Sequence, residues 1–232
     1  MTSPRTSKRA EHPPCARTRR PAALERPMTE DPAPMPLRCP DALLGAVRAL
    51  ASAPLARGAL VDFATTLRVD PALCAALRRP DPDRPYGRRV LFTNPHLEVM
   101  VATWTPGQAC AVHDHGEAFG VISVLEGEGE ERGYALRGGA LAQIQARALV
   151  AGDRLSAGPG LLHAMGSTAP QGAPTLLTLH LYTPGIEDMI VYEDDVTYII
   201  DGACGAWVPR DTPALIRAQR PGIWPRAALH PA

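Results

Sequence analysis

Lysine is almost absent from this chain: nearly all of its 24 basic residues are arginine, and 24 acidic residues balance them. With a formal net charge of zero, the totals give no general attraction to nucleic acid or to an anionic membrane surface. Aromatic residues make up only 5% of the sequence while prolines number 25, a bias that reflects coding composition more than function. No apolar run reaches the roughly 18 residues that a membrane-spanning helix needs, so a soluble protein is expected. The five cysteines, Cys15, Cys39, Cys74, Cys110 and Cys204, are odd in number, scattered and without CxxC spacing. Neither a disulfide framework nor a zinc ribbon follows, and a reducing, cytoplasmic setting is expected.

At 232 residues the chain suits one domain with extensions. Residues 1–38 are rich in proline and arginine and lack an apolar period, the pattern of a disordered extension. From Asp41, a candidate helix cap, Leu43, Leu44, Val47 and Leu50 recur at helical spacing. Leu60, Val61, Ala64 and Leu67 repeat the pattern, and Pro71 opens a third short helix through Leu77. The helical stretch ends near residue 78. Thereafter YGRRVLF, LEVMVATW, AFGVISVLEG, EERGYALRGG, AQIQARALVAGDRLSAGPG, TLLTLHLYTP and MIVYEDDVTYII are short β-rich runs broken by glycine, proline and asparagine. The expected fold is mainly β, a small antiparallel barrel with the N-terminal helices packed outside. Residues 39–206 would form this domain, and 207–232 a proline-rich tail that wraps its outside or is loose.

The chemistry concentrates in residues 105–127, TPGQACAVHDHGEAFGVISVLEG. Side chains alternate along an extended strand, so His113 and His115 share a face and Asp114 points away. A third nitrogen is offered by His163, delivered after the turn Gly158-Pro159-Gly160. Three neutral imidazoles suit a transition metal, but zinc, nickel, copper and iron all accept them, so the ligand set alone names no ion. His12, His96 and His230 stand without partners and read as ordinary surface or core residues. The spacing Gly107, His113, His115, Gly120, Gly127, followed by Gly152, Gly158 to Gly160 and His163, resembles the two-part signature of the cupin superfamily. Gly120 stands where that signature usually has a glutamate ligand, the second motif's proline is displaced by one, and Ser167 stands at its final asparagine position.

Two further runs carry polar groups. In Thr178-Leu-His180-Leu-Tyr182 one face is a hydroxyl, an imidazole and a phenol, and the other is leucine. Such a face either lines a barrel interior with its hydrogen bonds met or lies in solvent. In Tyr86-Gly-Arg88-Arg89, Tyr86 and Arg88 share a face while Arg89 takes the other; an arginine inside a barrel calls for an anion, one in solvent calls for nothing.

Tyr86-x-Arg88, His113-x-His115, His163 and Thr178 to Pro184, in this order behind helices, resemble the thiol dioxygenases and specifically the cysteine dioxygenase family, over roughly residues 41–200. The resemblance implies that His113, His115 and His163 bind ferrous iron and that cysteine chelates it through thiolate and amine. It further implies that Arg88, with Tyr86, holds the substrate carboxylate and that both atoms of dioxygen are added to sulfur. Tyr182, oriented by His180 and Thr178, would sit beside iron and substrate. In animal members a cysteine at the position of Gly120 is cross-linked to the tyrosine; glycine here rules out that thioether. A related branch acting on 3-mercaptopropionate has glutamine at the position of Arg88. Two other functions stay open: a dioxygenase for 3-mercaptopropionate or another small thiol, and a non-catalytic metal-binding cupin sensor. The expected partners are a small thiol and dioxygen, with neither nucleic acid nor membrane, and the expected state is a monomer.

Overall fold

A computed structural model describes residues 37–173 and 175–229. Except for Leu37 and Arg38, the proposed N-terminal extension lies outside the described residues, as do Cys15, His12 and His230. Three helices come first, α1 (Pro40–Leu50), α2 (Arg57–Thr66) and α3 (Pro71–Leu77). Asp41 does not cap α1: Cys39 is the N-cap and Pro40 takes the first helical position, where its missing N–H costs nothing, leaving Asp41 in the first turn. A capping side chain is found instead at α3, where Asp70 accepts a hydrogen bond from the Ala72 amide at 2.8 Å.

The rest is strand: β1 (Tyr86–Asn94), β2 (Leu97–Trp104), β3 (Val112–His113), β4 (Phe119–Glu126), β5 (Glu128–Arg137) and β6 (Ala140–Val150). There follow β7 (Arg154–Ala157), β8 (Leu162–Ser167), β9 (Leu177–Thr183), β10 (Asp188–Glu193), β11 (Val196–Asp201) and β12 (Ile216–Pro221). They form a five-stranded sheet in the order β1-β2-β9-β4-β7 and a seven-stranded sheet in the order β12-β11-β10-β3-β8-β5-β6. The expected fold class, a mainly β cupin barrel with helices outside, is what the chain forms. The long run from residue 142 to 160 is two strands. Gly152, at φ +96°, turns the chain so that β6 stays with β5 and β7 crosses to pair with β4. The tail is ordered onto the barrel, with β12 pairing antiparallel with β11.

Strand alternation divides the five-stranded sheet's two faces between two cores. Leu97, Val99 and Val101 of β2 and Leu177, Leu179 and Leu181 of β9 pack under Leu43, Val47, Leu60, Leu73 and Leu77 of the helices. Met100, Ala102 and Trp104 of β2 and Tyr182 of β9 pack into the barrel interior. Both strands are buried along their whole length, and each leucine sealed under the helices contributes about 1.5 to 3 kcal/mol. The helices thereby turn the central strands into a closed wall, which lets polar groups on the inner face sit away from water.

Candidate metal centre

His113 ends the two-residue strand β3 and lies directly opposite His163 on β8. His115 follows two residues later, and Gly116, at φ +59°, then bends the chain toward β4. The three rings are buried, with centroids 4.7 to 4.9 Å apart, and one nitrogen of each lies within 4.8 Å of the others. His163 donates from Nδ1 to Glu131 Oε1 at 2.8 Å, and His113 donates from Nδ1 to the Ala111 carbonyl at 3.0 Å. Nε2 is thereby the nitrogen of each ring left available to a metal ion. Nε2 of His163 lies 3.4 Å from Nε2 of His115. Nδ1 of His115 is buried with no hydrogen-bond partner, so the protein alone does not satisfy this ring, and three buried imidazole nitrogens within 4.8 Å of one another fit a metal ion.

Burial, reinforced by the neighbouring His163, lowers His113 to about 3. Burial, with His113 and His163 adding to it, also holds His115 well below the ordinary histidine value. These two rings are neutral at neutral pH, the form that ligates.

The polar face of β9 is buried and continuous. Trp104 Nε1 donates to Thr178 Oγ1 at 2.9 Å, Thr178 Oγ1 meets His180 Nε2 at 2.7 Å, and His180 Nδ1 meets the Tyr182 hydroxyl at 2.9 Å. Indole is a donor only, and among the described residues the one hydroxyl proton of Thr178 has no other acceptor than His180 Nε2. His180 is therefore protonated on Nδ1 and donates to Tyr182, leaving the phenolic proton free to be given elsewhere. Burial lowers His180 to about 3 and raises the Tyr182 phenol well above its ordinary value. The Tyr182 ring lies 5.1 Å, centroid to centroid, from that of His115. Gly120 is opposite Tyr182 in the β4–β9 register, and a Cβ there would come within 2.5 Å of the phenol ring. Glycine at this position is thus required by the tyrosine's packing.

Tyr86 and Arg88 line the same cavity as the three histidines, His180 and Tyr182. The space left is about 20 Å³, room for roughly one water molecule. The Tyr86 hydroxyl accepts from the Ala206 amide at 2.8 Å, and its ring packs against Trp104 and Trp207. Arg88 Nη2 donates to Glu98 Oε1 at 2.5 Å and to the Gly202 carbonyl at 3.2 Å. Burial raises the Glu98 carboxyl above its usual range while Arg88 and the Ile186 amide pull it back. Arg89, on the opposite face, reaches the Ala76 carbonyl of α3. His96 sits in the β1–β2 turn, bonded through its amide to Asn94, and is not part of the cluster.

Of the residues singled out for the site by motif and alternation, all but Thr178 line one cavity, and Thr178 lies behind it, bonded to His180. Glu131, Trp104, Glu98 and Arg226, which hold site residues in place, escaped that reading. A signal existed for Glu131 alone: it alternates with Gly129 and Gly133 on the buried face of β5, an acid among glycines where an apolar residue would be ordinary. Arg226 holds Asp114 from the tail, at 3.0 Å from Nε to Oδ2 and 2.7 Å from Nη2 to Oδ1.

A family model described as cysteine dioxygenase type I matches residues 61–194. Among solved structures, a double-stranded β-helix domain protein from Klebsiella pneumoniae subsp. pneumoniae is 24% identical. That match covers 52% of this chain and 89% of the other, with a TM-score of 0.42. TT1209 from Thermus thermophilus is also 24% identical, over 47% of this chain and 92% of its own, with a TM-score of 0.40. An RmlC-like cupin from Desulfovibrio desulfuricans is 25% identical over 46% and 89%, with a TM-score of 0.35.

Proposed function

Because the chain belongs to the cysteine dioxygenase type I family, we propose that it is a ferrous-iron thiol dioxygenase that converts L-cysteine to cysteine sulfinic acid. The observation that carries the reading is the convergence of three histidines, a buried Thr178–His180–Tyr182 relay and Arg88 on one cavity. Ferrous iron held by His113, His115 and His163 would supply a site for the thiol and the redox capacity to activate dioxygen.

The chain's own groups do the rest. Nε and Nη1 of Arg88 make no hydrogen bond among the described residues, so each keeps an N–H for a carboxylate oxygen. Tyr182, receiving a hydrogen bond from His180, presents its phenolic proton to negative charge developing on oxygen or sulfur. Tyr86, Trp104 and Trp207 form an aromatic wall that keeps water from the reacting atoms. The stoichiometry closes without an outside reductant: one thiol and one dioxygen give one sulfinic acid, with both oxygen atoms on sulfur.

A cytoplasmic location, a monomeric state and small molecules as the sole partners belong to the same proposal. Among the described residues Cys39, Cys74, Cys110 and Cys204 are unpaired, which supports a reducing compartment. No helix among them is long and apolar enough to cross a membrane. The test is anaerobic loading of metal-free protein with ferrous iron, then aerobic incubation with cysteine, 3-mercaptopropionate and cysteamine. Dioxygen uptake with cysteine and a product heavier by two oxygen atoms is expected. Faster turnover of 3-mercaptopropionate would replace the substrate, and no uptake with any thiol would leave a metal-binding cupin without this activity.

A further inference from the structure

The inner face of β2 carries Glu98, Met100, Ala102 and Trp104, three apolar or aromatic residues and one acid. Glu98 is paired with Arg88, with side chains 7% and 12% exposed. A buried ion pair is no better for stability than apolar packing of the same volume, because removing two charges from water costs as much as their attraction returns. Stability alone therefore gives no reason for Glu98 to occupy this position. Arg88 lines the cavity that holds the three histidines, while Glu98 lies beside it and lines a separate pocket with Asn94 and Pro184. Arg88 also lines an outer groove with Arg84, Cys204 and Trp207, so it spans the boundary between cavity and surface.

We propose that Glu98 is a specificity-determining positioning residue that sets how strongly the cavity binds carboxylates, by fixing Arg88 through Nη2 and balancing its charge. A carboxylate entering the cavity meets a guanidinium whose Nη2 is occupied and whose charge is already compensated. It is oriented by the free N–H groups of Nε and Nη1, which lie on separate edges, without the two-pronged grip that an unpaired buried arginine would give it. Glu98 thereby trades affinity for release: an acidic thiol is aligned, and its more acidic oxidised product is not trapped. This rests on the thiol dioxygenase reading for its substrate, but the charge relationship itself does not.

The experiment compares native protein with Glu98→Gln, Glu98→Asn, Glu98→Asp, Arg88→Gln and the Glu98→Gln/Arg88→Gln double variant. With iron-loaded protein, Glu98→Gln and Glu98→Asn are expected to lower KM for cysteine and 3-mercaptopropionate about three- to tenfold, and to change kcat by less. KM for cysteamine, which has no carboxylate, should stay within about twofold. Glu98→Asp, which differs from Glu98→Asn in charge and hardly in size, should not show the drop. The shift should vanish when Arg88 is already glutamine. In metal-free protein, calorimetric affinity for 3-mercaptopropionate should rise by the same factor in the neutral variants. The proposal is overturned if KM for the carboxylate thiols is unchanged or higher in the neutral variants, if cysteamine shifts equally, or if the effect persists without Arg88. Should native protein oxidise no thiol, the functional reading fails while the metal-free binding series still decides the role of Glu98. Asn and Gln are alternative neutral residues, so failure of one to fold leaves the other to decide.

Discussion

Arg226 grips both carboxylate oxygens of Asp114, the residue between two of the clustered histidines. Asp114 also accepts from the Ile190 amide at 2.8 Å and the Gly116 amide at 3.2 Å, so the carboxylate that faces away from the site is fully bonded. Arg226 pairs with Asp188 of β10 as well. The tail, beyond the segment that matches the family, thereby fastens the loop carrying His113 and His115.

Arg226→Met is accordingly expected to weaken iron retention about ten- to a hundredfold, as loss of a group bracing a ligand does. Stability should fall by about 3 kcal/mol, since Asp114 stays buried without its partner. Equilibrium competition with a chelator measures the first and urea unfolding the second. Unchanged affinity would show that the loop holds its geometry without the tail.

Tyr182→Phe should bind iron normally and turn over on the order of a hundredfold more slowly, the usual cost of losing one donor aimed at developing charge. Trp104→Phe tests the polarity of the relay. Without the indole donor the Thr178 oxygen is left with no donor in a buried site, a loss that donation from His180 Nε2 makes good, and the reversed imidazole tautomer draws the phenolic proton back toward His180. A severalfold fall in kcat with unchanged KM is expected; native kcat in Trp104→Phe would mean that the proton order is set elsewhere.

Gly120→Ala places a methyl group within 2.5 Å of the Tyr182 ring. Displacement of the phenol should reduce turnover by about tenfold or more and leave iron content unchanged. Because Gly120 has no thiol, native protein should have the mass of the plain chain. A deficit of two hydrogens mapped to Tyr182 and a cysteine would contradict this.

Acid should weaken the metal-free protein in a definite window. His113 and His180 titrate at about 3 when folded, against about 6.5 in an unfolded chain. Between those values the unfolded state binds more protons, so the stability due to these rings is complete above about pH 6.5 and is lost as pH falls toward 3. Urea midpoints at pH 7, 5.5 and 4.5 should decline, and His180→Gln should flatten the slope by up to about 1.4 kcal/mol per pH unit. Parallel slopes in the two proteins would mean that His180 is not held neutral.

Much of the site was legible because its signals are local. The face shared by Thr178, His180 and Tyr182 follows from strand alternation, and the leucines between them meet the helices. Whether that face was buried or in solvent was not legible, because it depends on what covers the leucine face and on the opposing sheet. The tail was read only as wrapping or loose. Its short strand is exposed and without a clean period, and it gains order by pairing with β11.

The sequence by itself determined which residues gather at the site: two histidines one residue apart, of which the structure places only His113 on a strand, a third behind a glycine-proline-glycine turn, and a polar stripe on β9. Such patterns are set within a few residues by backbone geometry. Tertiary structure alone decided what holds them. Glu131 lies 32 residues from His163, Trp104 lies 74 from Thr178, and Arg226 lies 112 from Asp114. Glu98 is only 10 residues from Arg88, yet it meets it across a strand pair and not along one strand. A hydrogen bond between strands depends on register and barrel closure, which no local period encodes. The braces of this site therefore became visible only once the two sheets had closed around it.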